Sequence, residues 1–362
     1  MANLRLLDDP SAIASADPSR MRDRLLSLAE QARLGWELGG QASIADQRRR
    51  PRHVVIAGMG GSGIGAALIK GIADLTPGAV PVTVWRDYGM PAWVDSDTLV
   101  IAVSVSGGTV ETRSAFEAAR RQGARCLAIT GPRELFDAAT SAGTDPLRID
   151  HRGEPRAALG YTFIAPYRAL QAVGALPDAS DDFSAAVDGL KEMSAALAPE
   201  SPSSGNQAKQ LAAGLMGRLP VVYGARHLSG VAIRWKTQFN ENADSWAIAE
   251  DMPEANHNGV QGYQLPEKVR QIASVLVLDS QSLSEEIRMR LRLTAELMRE
   301  EGVTHRLVEI GGGGVLSDVL RGCLLGDMTS YYLALLEHRD PSATAALTRL
   351  KDRTYAAPAT RG

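Results

Sequence analysis

Long apolar runs, cysteine and aromatic side chains are all scarce in this sequence, and each scarcity removes a class of protein. Nowhere do its 362 residues approach the ~20 continuous apolar positions that a membrane-spanning helix needs. The N-terminus, MANLRLLDDPSAIASADPSRMRDRL, carries Asp and Arg where a secretory leader would carry an apolar run. The two cysteines, Cys126 and Cys323, lie far apart and outside any C-x-x-C or metal-ligand spacing. They exclude a disulfide framework and read as buried, reduced thiols. Aromatic residues make up 5%, and the net charge is −3, so no global field invites nucleic acid or an anionic membrane. The expectation is a cytoplasmic globular chain with neither nucleic acid nor membrane as partner, in which a local site must hold any anionic ligand.

What is present is enough apolar residue, 44%, for one large core or two moderate ones. The length favours two domains, and 22% charged residues fit a folded chain. Apolar positions Met21, Leu25, Leu26, Leu28 and Leu34 predict helix between about 18 and 50, stopped by the basic run Arg48–Arg52 with Pro51. Strands are predicted at 53–57, 80–85, 99–103, 126–130 and, weakly, 147–149. Helices are predicted over 64–75 and 111–122. Strands alternating with helices imply parallel pairing in an α/β sandwich.

Between about 175 and 207, Pro177, Pro199, Pro202 and the run Ser201–Gly205 bracket one helical stretch, which marks a boundary. The alternation then resumes, with helix at 207–217, strand at 220–224, helix at 229–240, strand at 274–278, helix at 284–301, strand at 305–310 and helix at 316–336. The four-glycine run Gly311–Gly314 precedes the last helix. The expected organisation is an N-terminal helical segment (1–50), a first α/β domain (51–175), a helical linker (176–206), a second α/β domain (207–340) and a C-terminal helix and tail (341–362).

Two strand-to-helix turns carry the chemistry. The first, Ala57-Gly58-Met59-Gly60-Gly61-Ser62-Gly63-Ile64, offers free backbone N–H groups, the positive end of a helix dipole and a serine hydroxyl, all suited to phosphate. Gly58, Gly60 and Gly63 also spell G-x-G-x-x-G, with Asp87 near the place of a ribose-binding acid, so a dinucleotide unit is the competing reading. The second turn, Ser104-Val105-Ser106-Gly107-Gly108-Thr109-Val110-Glu111-Thr112, packs four hydroxyls into nine residues. Hydroxyl donors at a helix start suit a compact phosphate monoester, and a dinucleotide fold has no need of them there. A plain Ser/Thr helix cap is the alternative for Ser106 or Thr109 taken singly.

Gly60-Gly61-Ser62-Gly63 followed by S-x-S-G-x-T-x-E-T resembles the sugar-isomerase (SIS) domain, and more narrowly the bifunctional phosphoglucose/phosphomannose isomerases. The resemblance implies that Gly61, Ser62, Ser104, Ser106 and Thr109 hold a substrate phosphate. Val105, Gly108 and Val110 stand where that family usually has Tyr, Asn and Glu. Residues Gly153–Tyr161 resemble the family's P-R-x-x-x-G-Y segment and imply Arg156 beside the sugar ring.

Aldose–ketose isomerisation requires one base to carry a proton between C2 and C1, and a second acid/base to open the ring. Phe239-Asn240-Glu241-Asn242 and Pro253-Glu254-Ala255-Asn256-His257-Asn258 supply a carboxylate and an imidazole flanked by amides. The resemblance implies Glu241 as proton shuttle and His257 as ring opener; Glu254 is the rival base. Asp244 stands where relatives are expected to be basic. Asp340-Pro341-Ser342 resembles the family's C-terminal helix start, which implies that Lys351, at the end of that helix, returns to the site with Ser342 and Thr344 near it. The remaining histidines form no metal-spaced set, and neither metal nor cofactor is expected.

The resemblance spans about residues 20–355. It implies two SIS-type (flavodoxin-like) three-layer αβα domains with parallel sheets, and a homodimer in which His257 is donated across the interface. The expected activity interconverts glucose 6-phosphate, and mannose 6-phosphate, with fructose 6-phosphate through a cis-enediol. The alternatives are a non-catalytic sugar-phosphate-sensing SIS protein and a dinucleotide-dependent oxidoreductase.

Overall fold

Nine strands form two sheets in the computed structural model, which describes residues 2–44 and 49–356. The first sheet holds β1 (His53–Ala57), β2 (Val82–Trp85), β3 (Thr98–Ser104), β4 (Arg125–Thr130) and β5 (Leu147–Arg148). The second holds β6 (Leu219–Ala225), β7 (Ile248–Met252), β8 (Ala273–Asp279) and β9 (His305–Glu309). Side-chain alternation assigns the faces of the first sheet. Val54, Ile56, Leu99, Ile101, Val103, Leu127 and Ile129 point into the large core, whereas Val55, Val100, Ala102, Cys126 and Ala128 point into a smaller one with Phe116 and Ala119. A period of two with both faces apolar is what a parallel sheet covered by helices on each side requires.

All strand pairs are parallel. The first sheet runs β2-β1-β3-β4-β5 and the second β7-β6-β8-β9, so the second repeats the first four places of the first. This is the flavodoxin-like order, not the 3-2-1-4-5-6 order of a dinucleotide-binding sheet. In such sheets the crevice for ligand lies where the strand order reverses, at the carboxyl ends of β1 and β3 here, and of β6 and β8 in the second domain.

The large core runs without interruption from β1 and β3 to the Val315–Leu336 helix and the second sheet, so the two domains share it. That helix is buried along nearly its whole length. Trp235, on the His227–Asn242 helix, lies against it and donates from Nε1 to the Gly322 carbonyl at 2.7 Å. Gly326 leaves room for the indole, since a Cβ there would overlap the ring. Burial also raises both thiols, Cys126 to about 12, which fits inert core cysteines.

Departures from the sequence-based expectations are local. The expected 18–50 helix is two helices, Met21–Leu26 and Leu28–Gly40, and 45–48 of that stretch, including Arg48, lie outside the described residues, as does 357–362 of the tail. Two further short helices precede them, Ala2–Leu7 and Pro10–Ala16, the second capped by Asp9 accepting from the Ser11 and Ala12 amides. Strand β7 is an addition, because an edge strand reading Ile-Ala-Glu-Asp-Met has no apolar run to predict it. The His227 helix continues through Asn242, which places Glu241 inside its last turn rather than after it. The C-terminal helix is Ala345–Ala356, so Lys351 sits within it and not at its end.

Candidate active site at the switch point of the first sheet

The Gly60–Ala73 helix begins directly behind β1, and no side chain caps its first turn. Gly58 admits only a close approach, since a Cβ would meet the Ser62 and Val103 carbonyls at 3.0 Å. Gly60 has φ +51°, which glycine adopts without strain. These constraints turn the helix start, with its unopposed dipole, toward the end of β3.

Four hydroxyls converge there, Ser62 from the first turn and Ser104, Ser106 and Thr109 from the second, without Thr112. Ser62 Oγ accepts from the Val105 amide at 3.1 Å, Ser104 Oγ donates to Thr109 Oγ1 at 3.2 Å, and Ser106 Oγ lies 3.4 Å from Thr109 Oγ1. Thr109 occupies the N-cap position of the Val110–Arg121 helix, yet its side chain makes no capping hydrogen bond. The simple helix-cap alternative therefore fails for Thr109, whose hydroxyl belongs to the cluster. The arrangement leaves two helix N-termini and four hydroxyls around one small space, a site matched to a tetrahedral oxyanion.

Arg156 ties this nest to the carboxylate. A Cβ on Gly61 would meet the Arg156 backbone N at 2.5 Å, so the glycine turn lies flat on that residue. Arg156 is 2% exposed, and its guanidinium is fully engaged. Nε donates to Asn242 Oδ1 at 2.6 Å, Nη2 donates to the Pro341 carbonyl at 2.7 Å, and Nη1 stands 3.5 Å from Glu241 Oε2. Burial pulls the Arg156 pKa below its usual value, and the Glu241 carboxylate is the largest opposing influence; the group stays cationic. Arg156 is therefore a buried group of the site and not half of a surface ion pair.

Beneath it lies a buried network that the sequence motifs did not announce. Arg234 Nη2 donates to the Arg156 carbonyl at 3.0 Å and to Asp327 Oδ2 at 2.6 Å. Gln238 Nε2 donates to Asp327 Oδ1 at 2.9 Å, and Asn242 Nδ2 donates to Ser330 Oγ at 3.0 Å. Arg234 and Asp327 are almost wholly buried, so the pair fixes the backbone of one site residue while Asn242 orients its side chain.

The other expected residues stand apart from this cluster. His257 is exposed on a 3-10 turn (Glu254–His257) and has no hydrogen-bonding or ion-pair partner among the described residues. Glu254 is also exposed and accepts from Asn258 Nδ2 at 2.8 Å, a local turn contact that gives it no link to the hydroxyls. Lys351 is exposed and without an ion-pair partner among the described residues, although its chain segment passes the site: Pro341 bonds Arg156, and Ser342 Oγ accepts from Arg24 at 3.1 Å. Gly108, at the place of the expected Asn, lies beside Glu134, whose carboxylate would be 3.1 Å from a Cβ there. Asp87 accepts from its neighbour Tyr88 N in an exposed turn, not from any crevice. No cluster of potential metal ligands occurs among the described residues, nor does any helix long and apolar enough to cross a membrane.

Comparison with known proteins places the chain in a family. Residues 204–354 match the family described as the bacterial phospho-glucose isomerase C-terminal SIS domain. The chain is 34% identical to a bifunctional phosphoglucose/phosphomannose isomerase of Caldicellulosiruptor bescii over 92% of its own length and 98% of that protein. It is 34% identical to the protein of the same name from Thermoplasma acidophilum, covering 83% of this chain and 89% of that one. The crystal structure of a glucose-6-phosphate isomerase like protein from Thermus thermophilus shares the fold, with TM-score 0.60 and 21% identity over 94% of this chain and 99% of the other. Hydroxyl nest, buried arginine and paired glutamate thus occur in a chain that belongs to the bifunctional phosphoglucose/phosphomannose isomerase family.

Proposed function

We propose that this protein isomerises glucose 6-phosphate and mannose 6-phosphate to fructose 6-phosphate, and the reverse, through a cis-enediol. The observation that carries the reading is the short path from phosphate nest to base: Gly61 rests on Arg156, and Arg156 faces Glu241 at 3.5 Å. Ser62, Ser104, Ser106 and Thr109 hold the phosphate with the Gly60 helix start, exchanging their mutual hydrogen bonds for charge-assisted ones. The open-chain sugar then extends toward the Glu241 carboxylate. Glu241 takes the proton from C2, the C2 electron pair moves into a new C1–C2 double bond, and the C1 carbonyl oxygen takes up negative charge beside Arg156. A proton passes from O2 to O1, and Glu241 returns its proton to C1. Both C2 epimers give the same enediol, which is why one site can serve two aldoses.

His257 is assigned to ring opening from a second subunit, with Lys351 as a further cation at the ring oxygen. Support comes from the exposure of His257 on a chain that also exposes large apolar side chains, Trp246 at 85% and Leu265 at 79%, of the kind a homodimer would cover. The working compartment is taken to be the cytoplasm.

A coupled assay tests the activity: both aldose phosphates should yield fructose 6-phosphate without added metal or nicotinamide cofactor. Saturable sugar-phosphate binding with no turnover would instead support a sensor. Ser104→Ala combined with Thr109→Val should raise KM about tenfold or more, since each lost hydrogen bond to a charged group is worth about 1.5–3 kcal/mol, with a smaller change in kcat. Mixing inactive Glu241→Gln and His257→Ala chains tests donation across the interface. Random reassociation should restore up to about a quarter of wild-type turnover, because half of the sites in half of the dimers are then intact. No recovery would place His257 in its own subunit's site.

A further inference from the structure

A cavity of about 640 Å³ opens between the two domains, at the carboxyl ends of β6 and β7 in the second sheet. Its walls repeat the construction of the first site with the domains exchanged. Glu241 reaches the first site from the C-terminal end of the His227–Asn242 helix. Lys70 and Asp74 reach this cavity from the C-terminal end of the Gly60–Ala73 helix. The two helices pack against each other in opposite directions: a Cβ on Gly230 would meet the Ala67 carbonyl, and one on Gly71 would meet the His227 Cα.

The glycine turns correspond as well. Gly58 and Gly224 each pack on the carbonyl four residues ahead, Ser62 and Leu228 respectively. Two residues after each comes a left-handed position, Gly60 at φ +51° and Arg226 at φ +55° with ψ −124°. A glycine suits that conformation; an arginine is strained in it. Ser280 Oγ accepts from the Ser282 amide at 3.0 Å, as Ser104 Oγ does from the Gly107 amide at 3.2 Å.

The charges in the cavity do not cancel. Lys70 pairs with Asp74 at 2.5 Å, and Ser229 Oγ donates to Asp251. Arg86 and Arg226 both line the space, and neither guanidinium has a hydrogen-bonding or ion-pair partner among the described residues. Arg86 is exposed, yet partial desolvation in the cavity lowers its pKa, with no carboxylate to offset it. Arg226 precedes the 16-residue His227 helix and Arg86 follows β2, and both line the same cavity as exposed guanidinium forks free to grip an oxyanion. A volume of several hundred cubic ångströms is that of a small-molecule site.

We infer that this inter-domain cavity is a second binding site, separate from the hydroxyl nest, for a small phosphate-bearing anion gripped by Arg226 and Arg86. Equilibrium dialysis of labelled orthophosphate tests it, on the full-length chain carrying Ser104→Ala and Thr109→Val to weaken the first site. That chain should still bind one orthophosphate. Adding Arg226→Gly should weaken the remaining binding about tenfold or more, with Arg86→Gln acting in the same direction. Glycine accepts the backbone of residue 226 without strain, so Arg226→Gly in the otherwise wild-type chain should keep full isomerase turnover. A second arm with fructose 6-phosphate separates the sources: tighter binding than orthophosphate points to a phosphorylated metabolite, and weaker binding to free phosphate. Absence of orthophosphate from the Ser104→Ala/Thr109→Val chain, or unchanged binding after Arg226→Gly, overturns the inference.

Discussion

Glu241→Gln should lower kcat about 10²–10⁴-fold, the usual worth of one positioned acid/base, and leave sugar-phosphate binding largely intact. The amide keeps the size and the reach toward Arg156, 3.5 Å away, but cannot accept the C2 proton. KM for fructose 6-phosphate should therefore change little, because the proposed phosphate grip is assigned to Ser62, Ser104, Ser106 and Thr109 on the other domain. Steady-state kinetics together with solvent-deuterium incorporation at C2 reads both effects. Exchange at C2 should vanish with turnover; exchange that persists at the wild-type rate would pass the proton shuttle to another residue.

Asp327→Ala should destabilise the protein by about 3–5 kcal/mol, because it leaves the Arg234 guanidinium charged, buried and without its carboxylate. No other substitution proposed for this chain has so large an expected effect on folding, and urea unfolding measures it. Replacing both partners, Arg234→Met with Asp327→Leu, should recover most of that loss, since a buried ion pair contributes little beyond an apolar pair of similar volume. Activity should not return with the stability. Arg234 also holds the Arg156 carbonyl at 3.0 Å, and without it the guanidinium facing Glu241 loses its fixed backbone. A stable double variant with wild-type kcat would show that the network is packing alone.

Strands are legible in the sequence wherever both faces are buried. His53–Ala57 is readable to the residue, because a run of apolar β-formers between Arg52 and Gly58 has few other uses. β7 is not, since Glu250 and Asp251 on an edge strand erase the apolar run. The hydroxyl nest is legible because its residues are consecutive in two turns. Contact between those turns and Arg156 is not, since Gly61 touches Arg156 only through tertiary folding. Asp327 does give a signal, of a kind that motif reading passes over. An acid inside the apolar stretch Leu324-Leu325-Gly326-Asp327-Met328 of a 22-residue helix demands a buried cation, and Arg234 answers it. Asn240 and Asn242 resemble helix terminators and so suggest that Glu241 follows its helix, yet the helix continues through them.

The central claim is that the nest and Glu241 act on one bound sugar, and a crystal structure of the Glu241→Gln chain with fructose 6-phosphate tests it most directly. The phosphate should lie within hydrogen-bonding distance of Ser62, Ser104, Ser106 and Thr109, with C1 and C2 about 3–3.5 Å from the side-chain amide introduced at position 241. A phosphate seated elsewhere, or a sugar chain turned away from position 241, would contradict the account.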